Sequence, residues 1–318
     1  MSQLDDLKSA IKGRLGELEC VIGWEQGYDQ LHATPLFIRS ESDLDRLLIG
    51  PLAVHNLATY LTAYKGKKVG VVVKGCDSRS VIELLNEKLI NRDDVVVFGL
   101  CCEGVVSQRK IRAQLPADPG FVESVAVDKD GLKVTVAGQA ASLKMVDILS
   151  DKCRTCQYPN ALVADVLIGA NQPATSTTSP ACQDEFEAKS DAEKFAFWQE
   201  TMSRCIRCYA CRNACPMCVC RDHCIATSRD PLWLSQDNTP AENMMFQMIH
   251  VSHLAGRCTE CGECERACPV DIPLMLLRRY MNKQVKDVFE HQAGTALEQT
   301  PPLFTFKVEE ERIHERGW

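Results

Sequence analysis

The chain has 318 residues, 45% of them hydrophobic, a formal net charge of -7 and eighteen cysteines. That length exceeds an ordinary single domain and points to two, while the acidic balance argues against a nucleic-acid partner, whose phosphates need clustered Lys and Arg. No window reaches the eighteen or so apolar residues of a membrane span, and a chain that reads as cytoplasmic uses so many thiols for metal rather than for disulfides.

The first segment, MSQLDDLKSAIKGRLGELE, is amphipathic, with Leu4, Leu7, Ile11, Leu15 and Leu18 as its apolar positions, and lacks the uninterrupted apolar core of a signal peptide. KKVGVVVKG (67–75) is a β-branched run bounded by Gly, SRSVIELLNEKLI (78–90) has helical periodicity, and DDVVVFGL (93–100) is a second apolar run. This order predicts a βαβ unit whose parallel strands are buried on both faces. Cys76 follows the first strand and Cys101 and Cys102 follow the second, at the carboxyl edge where ligands gather in parallel sheets. One thiol from the end of each strand, with Cys153 and Cys156 of DKCRTCQ, would make four ligands for a 4Fe-4S cluster; the alternatives are buried free thiols, a redox pair or half a zinc site. VESVAVDKDGLKVTV (122–136) predicts a hairpin turning at Asp130-Gly131. GANQPATSTTSPACQ (169–183) is a Thr, Ser and Pro-rich connection. The expected architecture is therefore an α/β domain with a partly parallel sheet over residues 1–170, a linker over 171–190, and a mainly helical, cysteine-rich, ferredoxin-like (α+β) domain over 191–318.

The strongest pattern lies in that second domain. Cys205-x2-Cys208-x2-Cys211-x3-Cys215-Pro is repeated as Cys258-x2-Cys261-x2-Cys264-x3-Cys268-Pro. Three thiolates at this spacing wrap one cubane, and the fourth, before Pro, reaches the other cluster. The expected ligand sets are Cys205, Cys208, Cys211 and Cys268 for one 4Fe-4S centre and Cys258, Cys261, Cys264 and Cys215 for the other. A structural zinc site would use one pair of CxxC units and leave the rest idle. Cys218, Cys220 and Cys224, with His223, are additional. They read either as ligands of a fourth cluster, completed by Cys182 or another distant residue, or as a small metal site or reduced thiols beside the ferredoxin core. In ENMMFQMIHVSHLAGRC, Met244, Met245, Met248, Ile249 and Leu254 read as core positions, and His250 and His253 as ordinary helix residues. After Pro273, Leu274, Leu277, Met281, Val285 and Val288 form one apolar stripe, serving either the chain's own core or a partner subunit. The tail KVEEERIHERGW reads as a solvated extension or contact arm.

VVVKGCDSRSV, FGLCCEGVV, DKCRTCQYPNALVADVLIG and CIRCYACRNACPMC together resemble the beta-subunit family of coenzyme F420 (deazaflavin)-reducing hydrogenases and formate dehydrogenases, over nearly the whole chain. The resemblance implies one 4Fe-4S cluster on Cys76, Cys102, Cys153 and Cys156, with Cys101 as a spare neighbour. It also implies FAD in the N-terminal domain. No GxGxxG is present, and the local candidate for a flavin phosphate is the helix N-terminus at Gly75, Asp77, Ser78 and Arg79, where the alternative is plain capping. The segment from Gly256 also resembles the ferredoxin-like iron-sulfur subunit of heterodisulfide reductases, although CRDHC spaces Cys224 one residue further than that pattern. These likenesses imply an iron-sulfur electron-transfer subunit of an anaerobic oxidoreductase, relaying electrons between a flavin or two-electron site and one-electron carriers such as ferredoxin. Its partners would be a formate dehydrogenase, a hydrogenase or a heterodisulfide-reductase-like complex. The alternatives are a stand-alone ferredoxin with an appended domain and a zinc-stabilised scaffold.

Overall fold

The computed structural model describes residues 2–115, 121–128, 130–177, 179–220, 224, 226, 228, 233–235, 237–306 and 308–309. His223 and most of the charged C-terminal tail therefore lie outside the described residues.

The strands are β1 (Val21–Gln26), β2 (Ala33–Ile38), β3 (Val69–Val73), β4 (Val95–Leu100), β5 (Val122–Val127), β6 (Gly131–Val136), β7 (Gln139–Lys144) and β8 (Val166–Ile168). Five of them make one sheet in the order β2-β1-β3-β4-β8. The β1–β2 pair is antiparallel, whereas β1–β3, β3–β4 and β4–β8 are parallel. Every residue of β3 and β4 is buried, as expected for parallel strands covered on both faces. Helix α1 (Gln3–Lys12) buries Leu7 and Ile11 on this core, and α2 (Gly75–Asn86) is the crossover between β3 and β4. The predicted βαβ unit is present. The predicted hairpin is also present, extended by β7 into a three-stranded antiparallel sheet whose core includes Leu132, Val134, Val136 and Ile148.

The short helix α3 (Gln108–Arg112) precedes this small sheet, and α4 (Met145–Ile148) and α5 (Asp151–Arg154) lead from it to the first CxxC. The expected linker is not wholly irregular. It holds α6 (Ala181–Glu187), which starts after Pro180 and whose Phe186 packs on Phe197 and Trp198 of α7 (Asp191–Ser203). The remaining helices are α8 (Ala210–Asn213), α9 (Pro240–Ser252), α10 (Glu263–Arg266) and α11 (Leu274–Phe289). Trp198, Met202, Phe246, Leu274 and Met275 fill the core of this helical region, together with Cys205, Cys211 and Cys264.

The expected core face of α9 needs correction. Met245 and Met248 are exposed, and the buried positions are Asn243, Phe246, Gln247, His250 and Val251. The helix turns its polar stripe inward because those side chains have partners there. Asn243 donates to the carbonyls of Met202 and Cys205, Gln247 reaches Cys211 Sγ, and His250 Nε2 lies 3.1 Å from Cys218 Sγ. On α11, Leu274 and Val285 are buried, while Val288 at the far end is exposed.

The two regions interlock. Met217 and Leu254 belong to the core of the five-stranded sheet, and Glu87 of the α/β region takes a bidentate, partly buried ion pair from Arg257 at 2.6 Å. Segment 291–296 folds back onto α2. Arg79 donates to the carbonyl of Ala293, and Gly294 N–H donates to Glu83. Gly294 has φ of +66°, and a Cβ there would meet the Arg79 carbonyl at 2.1 Å, so this contact requires glycine.

Glu83 is fully buried, and Oε1 has no partner among the described residues. Burial, with Glu87 adding repulsion, raises its pKa to about 7. A carboxyl raised above its unfolded value binds its proton more tightly in the folded state, so folding stability declines as pH rises from about 4.5 to about 7 and is level above. Glu83→Gln should remove that decline and make the protein more stable than wild type at pH 8, by on the order of 3 kcal/mol. Thermal unfolding at pH 5 and pH 8 checks this; equal pH dependence in both proteins would contradict it.

Candidate metal centres

The two CxxCxxC loops have the same backbone. In the first, Arg207 and Tyr209 lie in the left-handed region with φ of 48° and 59°; in the second, Glu260 and Gly262 take the matching positions with φ of 57° and 74°. Each loop then enters a single helical turn, α8 or α10. This conformation turns successive thiols toward one centre, as a cubane requires, although three of the four positions are not glycine.

The ligand exchange expected between the repeats requires Cys268 to lie near the first loop and Cys215 near the second. Cys268 is among the charges acting on Cys205 and Cys211. Cys215 acts on Cys258, Cys261 and Cys264. Burial pushes the Cys258 thiol up to about 12 and Cys261 to about 11. Without a cation these groups stay protonated, and binding iron releases the protons. Arg278, fully buried, faces Cys215, Cys258 and Cys264 and donates to the His250 carbonyl at 2.7 Å.

The N-terminal thiols also converge. Cys76 is the second residue of α2, Cys102 follows β4, and α5 carries Cys153, with Cys156 beyond it. All four line one cavity of about 670 Å³ between the α/β region and α11. Burial raises each of their pKa values, and for Cys76 the Asp77 carboxylate adds to the effect. Cys101 is set apart, buried with its thiol 3.6 Å from Asn171 Oδ1.

A shared feature joins the sites. Backbone N–H groups two residues on bond to the sulfurs of Cys102, Cys156, Cys205, Cys215, Cys258 and Cys261. Such N–H donors are the groups that stabilise cluster sulfur and set its potential. Among the described residues, no three His, Cys, Asp or Glu side chains are close enough to hold a single ion.

Cys218 is hydrogen-bonded to Cys215 and touches His250, Cys220 is exposed, and Cys224 borders the helical core. Cys182 is exposed on α6. His250 reads as an ordinary helix residue in the sequence because its role depends on Cys218, thirty-two positions away.

The helix N-terminus expected to hold a flavin phosphate is not open. Asp77 is fully buried and ion-paired to Lys74 at 2.7 Å, and Ser78 Oγ donates to the Gly75 carbonyl and accepts from Leu162 N–H. A Cβ on Gly75 would meet the Tyr158 carbonyl at 1.8 Å, so the backbone of segment 158–162 already covers this turn. Arg79 stacks over Tyr158 and donates to Thr259 and Ala293 carbonyls. Of the four, Arg79 docks the two regions together, and only Gly75 and Arg79 border the cavity.

Residues 66–193 match the family model for the C-terminal part of the coenzyme F420 hydrogenase/dehydrogenase beta subunit, and residues 201–272 match a 4Fe-4S dicluster domain. The chain is 25% identical to the F420-dependent formate dehydrogenase subunit beta of Methanocaldococcus jannaschii, with 90% of each chain covered. It is also 25% identical to F420-dependent formate dehydrogenase 1 subunit beta of Methanococcus maripaludis, over 91% of this chain and 89% of that one. A chain from the F420-reducing [NiFe] hydrogenase complex of Methanosarcina barkeri aligns at 17% identity with a TM-score of 0.37, covering 48% of this chain and 58% of that one.

Cys102→Ser should lower the iron content of anaerobically purified protein by about four atoms per chain, whereas Cys101→Ser should leave it unchanged. Equal iron in both variants would contradict the N-terminal site.

Proposed function

We propose, on the premise that residues 66–193 are a coenzyme F420 hydrogenase/dehydrogenase beta-subunit domain and residues 201–272 a 4Fe-4S dicluster domain, that the chain is the iron-sulfur electron-transfer subunit of a multisubunit oxidoreductase. The observation that carries this reading is the convergence of twelve cysteines into three groups of four, two of them in the dicluster region and one at the carboxyl edge of the parallel sheet. The domain division follows sequence and packing together: an α/β region to residue 170, a connection containing α6, and the helical region beyond. The regions would act as one conductor, because Arg79, Glu87 and segment 291–296 hold them together.

Three 4Fe-4S clusters fit the donor sets, and when bound they accept and pass electrons one at a time. The chain's own residues supply the rest. N–H groups two positions after each of several cysteines point at sulfur, Arg278 places a positive charge beside the Cys258 group, and Gln247 reaches Cys211. Buried packing around these thiols excludes water, which favours the less charged state of each cluster and therefore lowers its potential, while the cations oppose that effect.

The family's FAD is assigned to the cavity rather than to the α2 N-terminus. About 670 Å³ is of ligand size, and Lys286 and Lys283 on its wall, the latter ion-paired to Glu187 at 2.7 Å, offer cations to a phosphate-bearing cofactor. A flavin there would accept a hydride's electron pair and release it singly. Partners are proposed from the names of the relatives: a formate dehydrogenase catalytic subunit, with deazaflavin as the two-electron carrier. No described helix is long and apolar enough to cross a membrane, and eighteen thiols with no disulfide among the described residues support a cytoplasmic place.

Iron, sulfide, zinc and flavin should be measured on the anaerobically purified complex. The expected result is about twelve irons and twelve sulfides per chain, with stoichiometric FAD and bleaching of the cluster absorbance on adding the reductant of the catalytic subunit. A colourless zinc protein would overturn the reading, and absence of FAD would leave the chain a conductor with its two-electron chemistry in another subunit.

A further inference from the structure

We infer that Lys152 is the positioning residue that joins the N-terminal thiol group to the Cys258 group, holding the two in contact and favouring the reduced state of both. This rests on the proposed cluster at Cys76, Cys102, Cys153 and Cys156. Lys152 precedes Cys153 in α5, yet its side chain leaves the α/β region altogether. The stem lies against the left-handed loop residue Gly262, where a Cβ would stand 3.3 Å from Lys152 Cδ, and the ammonium donates to the carbonyl of Cys261. Between a ligand of one group and a ligand of the other there is thus one peptide bond, one side chain and one hydrogen bond.

The charge is as informative as the path. Cys76, Cys153, Asp77 and Glu263 all act on Lys152, and Lys152 acts in turn on Cys261. The two carboxylates are already matched, Asp77 by Lys74 at 2.7 Å and Glu263 by Arg266 at 2.9 Å. Among the described residues Lys152 makes no carboxylate ion pair of its own. A cation so placed remains for the thiolate groups, and a cluster gains one negative charge on each reduction. Lys152 therefore stabilises the reduced form on either side and weakens the repulsion between two reduced neighbours. Lys152 is among the main charges on Cys261 but not among those on Cys205 or Cys211, so the Cys205 cluster serves as the internal reference.

The test uses the full chain in its complex, purified anaerobically as wild type, Lys152→Met, Lys152→Gln and Lys152→Arg. Iron is counted first, then each cluster is titrated potentiometrically with electron paramagnetic resonance detection. With iron at about twelve per chain, the Met and Gln variants should show a reduced-to-oxidised ratio about tenfold lower at fixed poise, or 59 mV for one electron, at the N-terminal and Cys258 clusters. The Cys205 cluster should be unmoved, and Arg should restore much of the loss. Unchanged ratios, an equal displacement of all three clusters, or loss of iron in both Met and Gln variants would overturn the assignment. Wild-type protein with only about eight irons would instead refute the N-terminal cluster on which the inference rests.

Discussion

The arrangement of the sites depends on the docking of α2 against the second cysteine loop. Arg79, almost fully buried, spends its guanidinium on the carbonyls of Thr259 and Ala293 and stacks over Tyr158, while Ser80 shares a hydrogen bond of 2.8 Å with Thr259. A planar, permanently charged fork satisfies several carbonyls at once, which a lysine could not do in the same geometry. Because α2 also carries Cys76 and begins directly after β3, this one contact sets the distance between the sheet edge and the Cys258 loop.

The same constraint explains why the first helix turn departs from its expected use. A turn that binds phosphate must leave its N–H groups and side chains free. Here Asp77 is matched by Lys74, whose ammonium also donates to the carbonyls of Ala53 and His55 and lies over Trp24, and Ser78 holds segment 158–162. The residues Gly, Asp, Ser and Arg suit both uses, and their sequence carries no sign of the distant carbonyls that claim them.

Legibility followed the range of the interaction. The βαβ unit could be read directly from its apolar runs, and cysteine spacing, a local constraint, sufficed to propose the crossing of Cys215 and Cys268 between repeats. The inward face of α9 could not. Apolar periodicity favoured Met245 and Met248, but Asn243, Gln247 and His250 point inward because sulfur and carbonyl partners from other segments await them. The helix within the expected linker was hidden likewise, since Phe186 has meaning only beside Phe197 and Trp198. The N-terminal quartet stands between these cases: its thiols could be named from the sheet edge and the CxxC, but choosing Cys102 over Cys101 needed the family resemblance, and the burial of Cys101 toward Asn171 agrees with that choice.

The central claim is that twelve particular cysteines form three cubane sites in one conducting body. An iron anomalous difference map from crystals of the anaerobic complex tests it most directly. The account predicts three iron centres in this chain, enclosed by Cys76, Cys102, Cys153 and Cys156, by Cys205, Cys208, Cys211 and Cys268, and by Cys258, Cys261, Cys264 and Cys215. A centre held by Cys218, Cys220 or Cys224 in place of one of these, or no iron beside Cys76, would contradict it.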